Sequence, residues 1–122
     1  MDSEMQIAGA HLTVHLPPEL DHPNADRIRE KTDAVIKKQY IKTITFDFQD
    51  TVFMDSSGIG LLMGRYKALG LRGGSIYAVH VNAHIFKILH LSGVYRFLEI
   101  QKEEPKSGES KEGRELWRTP MK

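Results

Sequence analysis

The apolar residues of this chain change their spacing repeatedly, from every second residue to every third or fourth, and that change decides the fold class. Strands repeat with a period of two and helices with one of about 3.6. Residues 11 to 16 alternate, with Leu12, Val14 and Leu16 facing one way and His11, Thr13 and His15 the other. This is the pattern of a strand with one buried face. Ala8-Gly9-Ala10 turns out of a short strand at Met5 to Ile7. Pro17-Pro18 ends the second strand, because proline cannot donate to a ladder. Pro23 suits the first turn of a helix that carries Ala25, Ile28, Thr32, Val35 and Ile36 on one face. Arg27, Arg29, Glu30, Lys31, Lys37 and Lys38 take its outer face. Residues 41 to 48 alternate again, with Ile44, Phe46 and Phe48 against Thr43, Thr45 and Asp47.

A second helix is expected from about Ser57 to Leu69, with Ile59, Leu62, Tyr66 and Leu69 as its core stripe. Gly58, Gly60 and Gly64 each cost such a helix about 1 kcal/mol relative to alanine. Close backbone packing accounts best for Gly64, whereas Gly58 and Gly60 lie near two serines and leave access to them as an alternative. Gly70 to Gly74 reads as a turn. Ile76 to Val81 is apolar on both faces apart from His80, as expected of a strand in the middle of a sheet. Asn82 can cap a short helix carrying Ile85, Phe86 and Leu89, which stops at Ser92-Gly93. Phe97, Leu98 and Ile100 make a last short strand. The order β-β-α-β-α-β-α-β places the chain in the α/β class, with parallel pairings and right-handed crossovers.

Composition narrows the functions. A chain of 122 residues is one domain with a single core. Its net charge of +1 makes no case for nucleic acid or an acidic membrane surface as partner. No apolar stretch approaches the roughly 20 residues that span a bilayer. Met1-Asp2-Ser3-Glu4 is acidic and lacks the apolar segment of a secretory signal. The absence of cysteine excludes disulfides and a thiol nucleophile and fits a cytoplasmic protein. The six histidines show no metal-ligand spacing backed by carboxylates, so no metal and no cofactor is expected. From Gln101 to Gly113 the chain has no apolar residue, and we read 101–122 as a charged, mobile tail behind a domain at 1–100. Leu116 and Trp117 are its exception, either a docking anchor for a partner or a cloning remnant.

One segment carries chemistry. Phe53-Met54-Asp55-Ser56-Ser57-Gly58-Ile59-Gly60 sits where an apolar run meets a helix. Asp and Ser there are ordinary N-cap residues. The same position has unpaired N–H groups and a partial positive charge, so it also accepts an anion. A phosphate on one serine would add close to two negative charges to that surface.

Phe53 to Gly60, continued by Gly64-Arg65-Tyr66-Lys67, resembles the core motif of STAS domains, in particular the sporulation-type anti-sigma factor antagonists. Glu19-Leu20-Asp21-His22 is similar to the family's Gly-Glu-Leu-Asp-His segment, and Phe86 to Gly93 to its late helix. The resemblance spans residues 5 to 100. It implies a mixed sheet with helices packed on one side, and a regulator rather than an enzyme. It implies as partners an anti-sigma factor that is also a serine kinase using ATP and magnesium, and a phosphoserine phosphatase. Ser56 would be the phosphoacceptor, and Asp21, His22, Asp55, Ser57, Gly58 and Gly60 the partner-binding residues around it. Asp21 has two readings, a carboxylate beside the phosphoacceptor or an N-cap ahead of Pro23.

The chain departs from the family pattern twice. Pro18 stands where a glycine is usual, and the charged tail replaces a closing amphipathic helix. An apolar patch left bare there would drive a homodimer. Two other readings stay open, a stressosome-like scaffold and a small-molecule or lipid-linked STAS domain.

Overall fold

The computed structural model describes residues 4–102. Seven strands and three helices run in the order β1 (Met5–Ala8), β2 (His11–His15), β3 (Glu19–Leu20), α1 (His22–Lys38), β4 (Thr43–Asp47), β5 (Phe53–Met54), α2 (Ser56–Ala68), β6 (Ile76–Val81), α3 (Ala83–Leu91) and β7 (Glu99–Lys102). A 3₁₀ turn at Val94–Phe97 separates the last two. The main sheet has the order β1-β2-β4-β6-β7, and β3 and β5 form a separate two-stranded pair. Only β1–β2 is antiparallel, through a turn in which Gly9 takes φ +61, so the sheet is mixed as expected.

Alternation along β2 and β4 puts Leu12, Val14, Ile44 and Phe46 in the core with no exposure at all. They pack with Ala25 and Ile28 of α1, Leu61 and Leu62 of α2, and Ile85 and Leu89 of α3. The opposite face carries His11, Thr13, His15, Thr43, Thr45 and Asp47, all half-buried. Among the described residues the helices thus cover one face of the sheet.

The structure corrects several expectations. β6 is paired on both edges, as expected of a strand in the middle of the sheet, but Tyr77 on its second face is exposed and Val79 only half-buried where a buried apolar face was expected. Phe97 belongs to the 3₁₀ turn, and only Ile100 of the three expected residues lies in β7. β7 continues through Gln101 and Lys102, two residues into the stretch assigned to the tail. Lys102 Nζ sits 4.0 Å from the centre of the Phe86 ring, a cation–π contact that closes this edge. Residues 103–122, with Leu116 and Trp117, lie outside the described residues.

The inward face of α2 is rotated from the expected stripe. Leu62 and Leu69 are buried, but Ile59 and Tyr66 are only partly so. Leu61 and Arg65 take the interior positions instead. Arg65 is 5% exposed and bonds the Thr32 hydroxyl and the Asp33 carboxylate of α1, tying the two helices together. Its Nε has no partner among the described residues.

The glycines of α2 also differ from expectation. A Cβ at Gly64 would meet nothing within 4 Å, so close packing is not its reason. A Cβ at Gly58 would fall 2.5 Å from Met54 Cγ and 2.9 Å from Leu20 Cδ2. Gly58 is buried, and it serves internal packing rather than an open approach to the serines.

Two alanine substitutions should therefore act in opposite directions. Gly58→Ala should lose about 1–3 kcal/mol through overpacking. Gly64→Ala should gain up to about 1 kcal/mol through helix propensity. Chemical denaturation of both variants checks this, and a Gly64→Ala loss matching that of Gly58→Ala would refute the packing described.

Candidate functional site

Two short parallel strands build the site. β3 pairs with β5 in the register Glu19↔Phe53 and Leu20↔Met54. The next residue on each strand is an aspartate, so the register sets Asp21 beside Asp55. The Asp55 N–H donates to the Leu20 carbonyl at 3.4 Å, which extends the pairing by one step. Each aspartate then starts a helix. Asp21 Oδ1 accepts the Asn24 N–H at 3.2 Å as the N-cap of α1. Asp55 Oδ1 accepts the Ser57 N–H at 2.8 Å as the N-cap of α2. The two helices consequently begin side by side, with their positive ends at one edge of the fold.

Ser56 is the first residue of α2, and its side chain is exposed. Ser57 is half-buried, and its hydroxyl lies 3.3 Å from His22 Nδ1 across the gap between the helices. Of the expected residues, Asp21 and Asp55 cap the two helices, His22 and Ser57 meet across the gap between them, and Ser56 and Gly60 are exposed on α2. Gly58 is buried in the first turn of α2, against Met54 and Leu20.

A shallow groove of about 210 Å³ runs between the starts of α1 and α2, lined by His22, Asp26, Arg29, Ser57, Gly60 and Leu61 among others. The sequence pattern places Arg29 on the outer face of α1 and gives Asp26 no role. Their spacing from His22, four and seven residues on, puts all three on one stripe of α1, which is the signal that was available. Asp26 lies 3.8 Å from His22 Nε2 and 3.4 Å from Arg29 Nη2, so the stripe carries its own charge pairs.

Asp47 joins the C-terminal ends of β2, β4 and β6. Its Oδ1 accepts the Gln49 N–H at 3.0 Å and lies 2.8 Å from His80 Nδ1, and its Oδ2 lies 3.2 Å from His15 Nδ1. Burial raises the pKa of this carboxyl. The hydrogen bonds from His80 and Gln49 and the charges of His80 and His15 outweigh it and hold the carboxyl below its ordinary value. His80 turns toward Asp47 from a left-handed backbone, φ 56, at an irregularity in the β6–β7 pairing.

Comparison with known proteins now fixes the family. The sequence pattern of the STAS domain matches residues 2–106. The chain belongs to the STAS domain family. This STAS domain is 34% identical over 101 residues to the anti-sigma F factor antagonist of Paenibacillus polymyxa, covering 83% of this chain and 86% of that one. Its fold matches the unphosphorylated form of the anti-sigma factor antagonist SpoIIAA with a TM-score of 0.70 at 24% identity, over 97% and 96% of the two chains. The phosphorylated form of the Bacillus cell fate determinant SpoIIAA matches with a TM-score of 0.63 at 25% identity, over 93% of this STAS domain and 96% of that chain. Among the described residues, no helix is long and apolar enough to cross a membrane.

The Asp47 arrangement predicts an acid response. A carboxyl with a depressed pKa contributes stability above its unfolded value, about 3.9 for aspartate, and loses it as the pH falls through the folded value. Glu4, whose burial is outweighed by bonds from Arg27 and Lys31, behaves in the same way. The melting temperature should therefore fall as the pH drops below about 4, and Asp47→Asn should flatten part of that fall. An unchanged acid slope in Asp47→Asn would contradict the role given to this carboxylate.

Proposed function

We propose that this STAS domain is an anti-sigma factor antagonist, switched off by phosphorylation of Ser56. In this reading it binds an anti-sigma factor that is also a serine kinase and so frees a sigma factor. The kinase, using ATP and magnesium, modifies Ser56, and a phosphoserine phosphatase reverses it. The domain is a regulator acting in the cytoplasm and catalyses nothing itself.

The observation that carries this reading is the exposure of Ser56 at the first position of α2, directly after Asp55, which the β3–β5 register sets beside Asp21. A hydroxyl there is open to a kinase. The helix end tolerates an added anion, because the macrodipole and unpaired N–H groups favour negative charge. The fold therefore survives the modification. A partner seated on the same surface does not. It meets about two new negative charges next to two carboxylates, with water excluded and no cation supplied. Ser57 is the poorer acceptor, since its hydroxyl is half-buried and faces His22.

Incubation with a sporulation-class anti-sigma factor kinase and Mg-ATP, followed by mass spectrometry, tests the site. Phosphate is expected on Ser56, to be lost in Ser56→Ala and kept in Ser57→Ala; phosphate on Ser57 alone would sink the assignment. In calorimetry, Ser56→Asp should bind the anti-sigma factor about tenfold or more weakly, since charge and not the lost hydroxyl is the switch. Ser56→Ala should stay within about threefold of the unmodified chain on the same ground.

A further inference from the structure

Thr51 is a fully buried polar residue in the loop between β4 and β5. Each of its polar groups is engaged with a different element. Its N–H donates to the Phe48 carbonyl at 3.0 Å, at the end of β4. Its hydroxyl donates to the Pro17 carbonyl at 2.9 Å, in the segment that leads to β3. Its carbonyl accepts from Asn82 Nδ2 at 3.0 Å. Asn82 in turn caps α3 through the Ile85 N–H at 2.8 Å.

Pro17 explains why a hydroxyl is needed here. Pro17 and Pro18 have no N–H, so their segment can only accept hydrogen bonds. The donors come from the facing loop: Thr51 Oγ1 to Pro17, then the N–H groups of Val52 and Phe53 to Pro18 at 2.8 and 3.2 Å. Pro18 leads in three residues to Asp21, and Phe53 leads in three to Ser56. These bonds stand at the start of the β3–β5 pairing, which carries their alignment on to the two halves of the site.

We infer that Thr51 is a positioning residue, whose hydroxyl bond to the Pro17 carbonyl sets the Asp21 segment in register with the Ser56 segment for phosphoryl transfer. It touches neither nucleotide nor the reacting hydroxyl and acts through the loop it holds. The inference rests on the reading of Ser56 as phosphoacceptor. Valine has the shape of threonine without the donor, and serine has the donor without the methyl group, so the two variants separate hydrogen bonding from packing.

The test uses the full chain as wild type, Thr51→Val and Thr51→Ser. Steady-state phosphorylation by a sporulation-class anti-sigma factor kinase with Mg-ATP should show kcat about tenfold lower in Thr51→Val, with KM within about twofold, because orientation is lost and binding is kept. Thr51→Ser should recover kcat to within about twofold by the same argument. In amide hydrogen exchange, Val52 and Phe53 should exchange faster in Thr51→Val, with Phe46 unchanged. Equal loss of kcat in both variants would trace the effect to packing and overturn the inference, as would wild-type kinetics in Thr51→Val. If the wild-type chain takes no phosphate, the reading of Ser56 fails by itself. The exchange arm then decides Thr51, with unchanged protection of Val52 and Phe53 in Thr51→Val counting against it.

Discussion

Because Gly58 has no side chain, α2 can settle directly onto Met54 and Leu20, whose side chains lie where a Cβ would be. That contact holds the pair β3–β5 under the first turn of α2. The pairing in turn sets two aspartates side by side, and each aspartate starts a helix. Two helix N-termini and an exposed serine thus share one edge of the fold through a chain of local causes. A methyl group at position 58 would push α2 away from the strands, and the geometry at Ser56 would move with it. The site depends on a packing constraint one turn beneath it.

The electrostatics of this edge are balanced so that one added charge matters. The helix ends are positive, and Asp21 and Asp55 spend their carboxylates on the cap bonds. The charged residues of the groove, Asp26 and Arg29, pair with each other, and His22 shares Asp26. An uncharged serine in this setting leaves a surface that a partner can cover without burying an unpaired ion. A phosphoserine does not, since buried unpaired charge is among the costliest states in an interface. The same phosphate is comfortable in the free protein, where water and the helix end both stabilise it. The proposed switch would therefore need no change of fold.

Much of this was legible in the sequence because its causes are local. The alternation in β2 and β4, the amphipathic face of α1, and the caps Asp21, Asp55 and Asn82 each show within a few residues. What escaped has causes distant along the chain. β3 and β5 are two residues each, too short to display a period. Arg65 reads as a surface cation until α1 brings Thr32 and Asp33 against it. Glycines blur the inward stripe of α2, so its rotation toward Leu61 was not visible. Thr51 looks like any loop threonine, since Pro17 and Asn82 lie more than thirty residues away on either side. Gly60 and Gly64 have open space around them, and nothing in the fold requires either to be glycine.

The central claim is that charge on Ser56, placed on an unchanged fold, decides partner binding. Calorimetric titration of the Ser56-phosphorylated chain into an anti-sigma factor kinase, beside the unmodified chain, tests it most directly. The account predicts tight binding by the unmodified chain and an affinity at least about a hundredfold lower for the phosphorylated one, as like charges buried at an interface demand. Equal affinities would contradict it and would separate the chemistry at Ser56 from whatever surface the partner recognises.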